Sequence, residues 1–284
     1  MASETSAVET GISKDFAEKL TLDTDSTFYI LSRCTKGYLY EFNINTESFI
    51  QSASRPPLTR CAIAKYNNLI YVVAGQREEK PSDAALIYDI NKKSWTEHNI
   101  PIGNSFLTVC TVGDQMYLFG GIDSSETPQN TCFRYDFETD RLMKLADMEK
   151  YRGQCAVAYY NSSIYVMGGF SCWFNNAVER YDPREGKWSR AGEINGGGAC
   201  SSALVKDTVH VINTYTGKYC SFDPRSLRGA PEKYLGFEGK QWLASMDNKL
   251  YLLHFGGISV YDEADDKWAN VLNYTFYKCP AFIC

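Results

Sequence analysis

The chain has 284 residues, 44% of them hydrophobic and 14% aromatic, which is ample material for a core and excludes global disorder. A net charge of −5, from 29 basic and 34 acidic residues, argues against a dedicated nucleic-acid binder, which carries a basic domain. The length is large for one ordinary domain and suits a single closed β architecture that uses the whole chain.

In chain order, residues 1–25 read as a linker, with a short helix over Lys14–Leu20 and Ser13 as its cap. Met1–Gly11 is polar and acidic, with no basic n-region or apolar h-region of a secretory leader. Residues 26–284 read as one repeat domain. Within it, Gln154–Val178 carries no formal charge for 25 residues, long enough to cross a bilayer. Asn161-Ser162-Ser163 interrupts that stretch, and Gly168-Gly169 and Asn175-Asn176 follow, so a β-hairpin is predicted instead. The ten cysteines contain no C-x-x-C, and disulfide scaffolds with this many are usually far shorter. Glycosylation acceptors at Asn161 and Asn273 carry little weight without a leader. A reduced, cytoplasmic chain is the expectation, with the nucleus also open to it.

Three motifs recur in phase. An apolar run around a tyrosine appears at Tyr71, Tyr117 and Tyr165, ending in Ala74-Gly75, Gly120-Gly121 and Gly168-Gly169. Weaker copies lie at Tyr29, His210 and Tyr251, giving spacings of 42, 46, 48, 45 and 41 residues from Tyr29 onward. An aromatic-Asp pair follows each copy, with a bulky residue six positions later: Asp89 with Trp95, Asp182 with Trp188, Asp262 with Trp268. Asn43 with Phe49 and Asp136 with Leu142 are degenerate copies, and Asp223 is followed only by Gly229. A short apolar run precedes the tyrosines from Tyr71 onward by about ten residues, as at Cys61–Ala64 and Cys155–Ala158. Each unit is therefore a four-stranded meander. One such sheet cannot bury both faces, but sheets packed radially around an axis can.

These residues resemble the kelch repeat: Gly-Gly after the second strand, then Tyr-Asp, then Trp at fixed distance. The resemblance covers roughly residues 26–284 and implies an all-β, six-bladed propeller of four-stranded blades. The Gly-Gly slot departs from the pattern at Ser32-Arg33, Asn213-Thr214 and His254-Phe255. The first blade lacks an apolar strand before Phe28, and Lys278–Cys284 aligns with Arg60–Ala64. The C-terminal strand is therefore expected to complete the first blade as its innermost member and remove two open edges. Cys61, Cys155, Cys200 and Cys279 occupy equivalent inner positions, where packing is a better reading than a metal-binding ring.

Topology separates two surfaces. Hairpins such as Asn67-Asn68 and Gly113-Asp114 make one face uniform, whereas the loops Gln76–Asp83, Ile122–Asn130, Phe170–Asn176 and Tyr215–Lys218 make the other differ from blade to blade. Such variation on one face marks a binding surface. The partner-binding candidates on it are Arg33, Arg60, Gln76, Arg77, Arg152, Phe170, Trp173, Phe174, Tyr215, Lys240 and Lys278. The aromatic loop at 170–174 either anchors a partner or folds back onto a neighbouring blade. The cations would favour an acidic peptide, unless they are merely solvated.

His98, His210 and His254 show no metal-ligand spacing and read as structural, and no G-x-S-x-G or phosphate loop is present. No enzyme activity, cofactor, metal, membrane or nucleic-acid partner is expected. The resemblance implies a non-catalytic protein- or peptide-binding module, similar to the substrate-recognition domain of BTB-kelch adaptors for cullin-RING ubiquitin ligases. The ligase machinery would be reached only through a BTB region, for which this chain has no room. An actin-associated kelch scaffold is the alternative, and a kelch-type oxidase a remote one.

Overall fold

The computed structural model describes residues 27–32, 38–46, 48–54, 58–171, 175–237, 239–274 and 280–283. The expected linker and helix at the N-terminus lie outside them. Six sheets are arranged around an axis. From the axis outward, blade I comprises Pro280–Ile283, Thr27–Ser32, Tyr38–Asn43 and Ser48–Ser54. Blade II is Ala62–Tyr66, Leu69–Val73, Ala84–Asp89 and Ser94–Asn99; blade III is Thr108–Val112, Gln115–Phe119, Cys132–Asp136 and Arg141–Lys144. Blade IV is Ala156–Tyr160, Ser163–Met167, Ala177–Asp182 and Lys187–Glu193; blade VI is Trp242–Met246, Lys249–His254, Gly257–Asp262 and Lys267–Asn273. Blade V runs Cys200–Val205, Thr208–Asn213 and Lys218–Asp223, and its outer position is split between Arg228–Gly229 and Lys233–Tyr234. The uncharged stretch from Gln154 thus folds as the hairpin Ala156–Tyr160/Ser163–Met167.

The tyrosine runs are apolar at successive residues because both faces of each second strand are covered. Alternate side chains enter different clusters, as a period of two requires. Phe28 and Ile30 pack against blade VI, while Tyr29 and Leu31 pack against blade II. The same division repeats around the ring, one apolar cluster between each pair of neighbours.

The aromatic-Asp motif has a local cause. In five blades the Asp, and in blade I Asn43, ends the third strand and accepts backbone N–H bonds from the turn that follows. Asp89 takes Asn91 and Lys92 at 3.0 and 2.9 Å, and Asn43 takes Asn45 and Thr46 at 3.0 and 2.9 Å. Asp136, Asp182, Asp223 and Asp262 do the same. The tryptophan six positions on then returns beside the tyrosine of its own blade, with ring centroids 5.0 Å apart for Tyr88–Trp95 and Tyr181–Trp188 and 5.3 Å for Tyr261–Trp268. Trp188 also ties blades together, donating its indole N–H to the Ala146 carbonyl of blade III at 2.8 Å. In blade V the carbonyl of Glu193 from blade IV would lie 2.7 Å from any Cβ on Gly229, so no bulky residue can stand there.

The ring closes as the tail alignment predicts. Pro280–Ile283 pairs antiparallel with Thr27–Ser32, in the register Tyr29 to Ile283 through Ser32 to Pro280. The same strand lies beside the innermost strands of blades II and VI.

Arg152 requires a correction. Expected on the variable face, it is fully buried between blades III and IV. Its Nη1 donates to the carbonyls of Gly168 and Ala177 at 2.8 and 3.1 Å, and its Nη2 meets Glu179 Oε2 at 2.5 Å. Glu179 is itself 3% exposed and also accepts the Glu149 N–H at 2.6 Å. Val178 and Glu179 point to opposite faces of blade IV, Val178 into the cluster shared with blade V and Glu179 toward Arg152, and both faces are covered, so both side chains are buried. The flanking glycines complete the clamp: a Cβ on Gly120 would lie 2.0 Å from the Arg152 carbonyl oxygen, and one on Gly169 2.8 Å from Arg152 Cβ, with both backbones at positive φ. The sequence comparison with Arg60 is out of step. Arg60 immediately precedes the inner Cys61, whereas Arg152 stands three residues before its counterpart, Cys155.

Two outcomes follow from this packing. Arg152→Ala leaves the Glu179 carboxylate buried without its cation and costs about 3–5 kcal/mol in urea unfolding; a variant within 1 kcal/mol of wild type would refute the clamp. Deleting residues 278–284 removes the closing ladder. At roughly 1 kcal/mol per hydrogen bond and about 2–4 °C per kcal/mol, Tm falls by on the order of 10 °C, and an unchanged melt would exclude closure by the tail.

Candidate functional site

The innermost strands line an axial channel of about 510 Å³. Its wall is built of small residues, among them Ala62, Thr108, Cys155 and Ser202. Hydroxyls stitch neighbouring blades across it: Thr108 Oγ1 donates to the Cys155 carbonyl and Ser202 Oγ to that of Val157, both at 2.8 Å. Two of the buried thiols are held protonated: burial pushes Cys155 up and Cys200 up to about 12, so neither is a thiolate at neutral pH.

The mouth of the channel on the variable face is set by the residues two positions before the inner strands of blades II, III, IV and VI. Arg60, Phe106 and Gln154 all adopt left-handed backbone, with φ of 53°, 55° and 46°. This conformation turns each amide toward the preceding blade: Phe106 N–H donates to the Arg60 carbonyl, Gln154 N–H to Phe106, and Cys200 N–H to Gln154, each at 2.8 Å. The rim is therefore a hydrogen-bonded belt from which side chains project. Arg60 is exposed, with its guanidinium 5.0 Å over the Phe106 ring and 3.9 Å from Glu126. At the corresponding position of blade VI, Lys240 sits 4.4 Å over the ring of Tyr215, which is more than half exposed.

The other predicted residues divide sharply. Gln76 is buried, its backbone bridged to Thr59 by hydrogen bonds of 2.7 and 2.9 Å, so it presents no side chain to a partner. Arg77 is taken up by a bidentate pair with Glu97 on the outer strand of its own blade, at 3.0 and 3.1 Å, away from the axis. Phe170 folds back: its backbone bridges Gly153 and its ring meets Phe106 edge-on at 5.7 Å. Arg33, Trp173, Phe174 and Lys278 lie outside the described residues. What remains is a rim of cation–aromatic pairs, Arg60 with Phe106 and Lys240 with Tyr215. Phe106, Gln154, Tyr234 and Phe255 were missed by sequence reasoning. The signal for Phe255 was its place in the second Gly slot of blade VI; Phe106 and Gln154 could be found only by counting back from the inner apolar run.

The histidines are held apart. His98 pairs with Asp140 at 3.0 Å, His254 with Ser259 at 3.0 Å, and His210 with Tyr219 at 2.5 Å. Burial depresses His210 to about 4 and lowers His254, so both are neutral at physiological pH. Among the described residues no three His, Cys, Asp or Glu side chains gather as a metal site would need, and no helix is long and apolar enough to cross a membrane.

Comparison with known proteins agrees with this architecture. Kelch-like protein 41a of Danio rerio is 25% identical over 156 residues, covering 53% of this chain and 26% of the relative. Kelch-like protein 23 of Homo sapiens is 26% identical over 186 residues, covering 47% and 32%. A putative F-box/kelch-repeat protein of Arabidopsis thaliana is 25% identical over 126 residues, covering 42% and 32%. The matched segments span about a third or less of these relatives' lengths. The solved structure of YjhT superposes with a TM-score of 0.58 at 19% identity, over 69% of this chain and 72% of that one, a likeness of fold. The KLHDC2/KLHL20/DRC7 kelch-repeats domain matches residues 31–213, well over half of the chain. With six blades built on the repeated Asp turn and the glycine-ended second strand, the chain belongs to the kelch-repeat family.

Proposed function

We propose that this propeller is a non-catalytic recognition module that holds a protein partner against the channel mouth on the variable-loop face, and that in a longer protein it selects substrates for a cullin-RING ubiquitin ligase. The observation that carries the reading is the contrast between the two faces. On the uniform face the first hairpin of blades II–VI turns through the same left-handed residues, Asn67, Gly113, Asn161, Lys206 and Asp247, with φ between 46° and 59°. These turns close strands and leave little else to offer. On the other face the strand ends repeat but the loops beyond them differ in length and sequence, and four of the large exposed apolar side chains lie there: Tyr151, Tyr215, Tyr234 and Phe255. Exposed aromatics on loops held by a rigid scaffold are the usual anchors of protein interfaces. The ligase role is supported by the resemblance to BTB-kelch adaptors and by the kelch-like relatives.

Cross-linking mass spectrometry of affinity-captured partners from cells tests both levels. Cross-links should concentrate on the variable loops, and capture should survive Tyr159→Ala on the opposite face. Cross-links confined to the Asn67, Gly113 and Asn161 turns would overturn the module's orientation. Cullin-dependent ubiquitylation of the captured protein by the natural full-length protein is the expected ligase result, whereas actin co-sedimentation without it would favour a cytoskeletal scaffold.

A further inference from the structure

Blades V and VI depart from the repeat where the variable face becomes most apolar. Their Gly-Gly slots hold Asn213-Thr214 and His254-Phe255. Tyr215, Tyr234 and Phe255 are 54%, 64% and 51% exposed. They belong to adjoining loops. Tyr234 Cε2 would lie 3.1 Å from a Cβ on Gly217, and Phe255 Cβ 3.1 Å from a Cβ on Gly239. Lys240 lies between, over the Tyr215 ring. An exposed apolar cluster of this kind marks an interaction site.

The platform is held rigidly from below. The buried Asn213 accepts the N–H groups of Tyr215 and Thr216 at 3.1 and 3.0 Å and donates to the Gly197 carbonyl at 2.7 Å. Gln241, 1% exposed, donates its backbone N–H to the Thr214 carbonyl at 3.2 Å and its side chain to the Phe237 carbonyl at 2.8 Å. The Phe237 ring rests 4.5 Å from that of His254. Preorganised aromatics of this kind lose little entropy on binding.

Charge then selects the ligand. Lys218 is paired with Glu232 at 2.7 Å and Lys233 with Asp266 at 3.5 Å. Among the described residues no carboxylate pairs with Lys240. Loops 194–199, 214–217 and 255–256 contain no acidic residue, and of the two glutamates in the loop that carries Lys240, Glu232 is paired with Lys218 and Glu238 lies outside the described residues. Arg60, the other described rim cation, has Glu126 beside it.

Resting on the reading of the variable face as the binding face, we infer that the blade V–VI sector is a peptide platform. It takes an extended segment whose Asp or Glu side chain meets Lys240 while a neighbouring bulky apolar side chain packs on Tyr215, Tyr234 and Phe255.

The test is to pan the 284-residue chain against a phage-displayed library of random peptides and to measure the enriched peptides by fluorescence anisotropy. Enriched sequences should carry an acidic residue close to a bulky apolar one. Lys240→Met and Phe255→Ala should each weaken binding by about tenfold or more, as for a buried interface anchor, with circular dichroism confirming that each variant is folded. The salt dependence of the wild type should flatten in Lys240→Met, which a purely structural lysine would not cause. Tyr234→Phe should bind as wild type and Tyr234→Ala should not. Peptides that depend on Arg60 and Phe106 but not on Lys240 or Phe255, or that are basic, would overturn this inference and leave the wider reading standing. Peptides lost in Tyr159→Ala on the opposite face, or a selection that enriches nothing on folded protein, would overturn both.

Discussion

Every second strand in this molecule is apolar on both sides, and that is the constraint from which the rest follows. A four-stranded meander offers two faces, and neither can be left to water when Tyr29, Leu31, Phe28 and Ile30 alternate between them. Each blade must therefore have a neighbour on both sides, and a finite row of blades would leave two faces exposed. Closing the ring solves this. Covering the first blade then requires a strand that the N-terminal part of the repeat does not supply, and Pro280–Ile283 provides it. The stability of any one blade is thus tied to all the others through the ends of the chain.

The same packing decides which polar groups remain free to act. Arg152 and Glu179 would be surface charges in a looser structure. Here the covered blade III–IV face takes in the Glu179 carboxylate, and the backbone carbonyls of Gly168 and Ala177 accept further bonds from the guanidinium. The pair fixes the junction of blades III and IV. Its contribution lies less in favourable free energy than in the penalty for any arrangement that separates its members. The propeller thereby keeps its charge for structure at one junction and leaves Lys240 and Arg60 at the rim.

The rim is where rigidity and variation meet. A hydrogen-bonded belt passes from Arg60 through Phe106 and Gln154 to Cys200, so the side chains it carries are displayed from a fixed circle. The loops beyond it can differ in length and sequence because their tips lie outside the apolar clusters that join the blades. A cation resting on an aromatic ring, as Lys240 on Tyr215, presents charge and apolar surface together. Loop substitutions on such a scaffold alter the displayed surface without disturbing the core.

The repeat spacing, the Asp turns and the two-sided apolar runs were legible in the sequence because they depend on local periodicity and on contacts every blade repeats. Even the closing strand could be read, since Lys278–Cys284 carries the pattern the first blade lacks. The individual site residues were not legible to the same degree. Arg60 and Arg152 look alike in sequence, yet a difference of two positions relative to the inner strand places one in solvent and the other in the core. Gln76 and Arg77 sit in a variable loop, yet one is consumed by a bridge to Thr59 and the other by Glu97. Phe255 reads as a lost glycine and emerges as an exposed aromatic side chain. These outcomes depend on which blade stands opposite and on how a left-handed residue aims a side chain, contacts between segments far apart in the chain that no local pattern encodes.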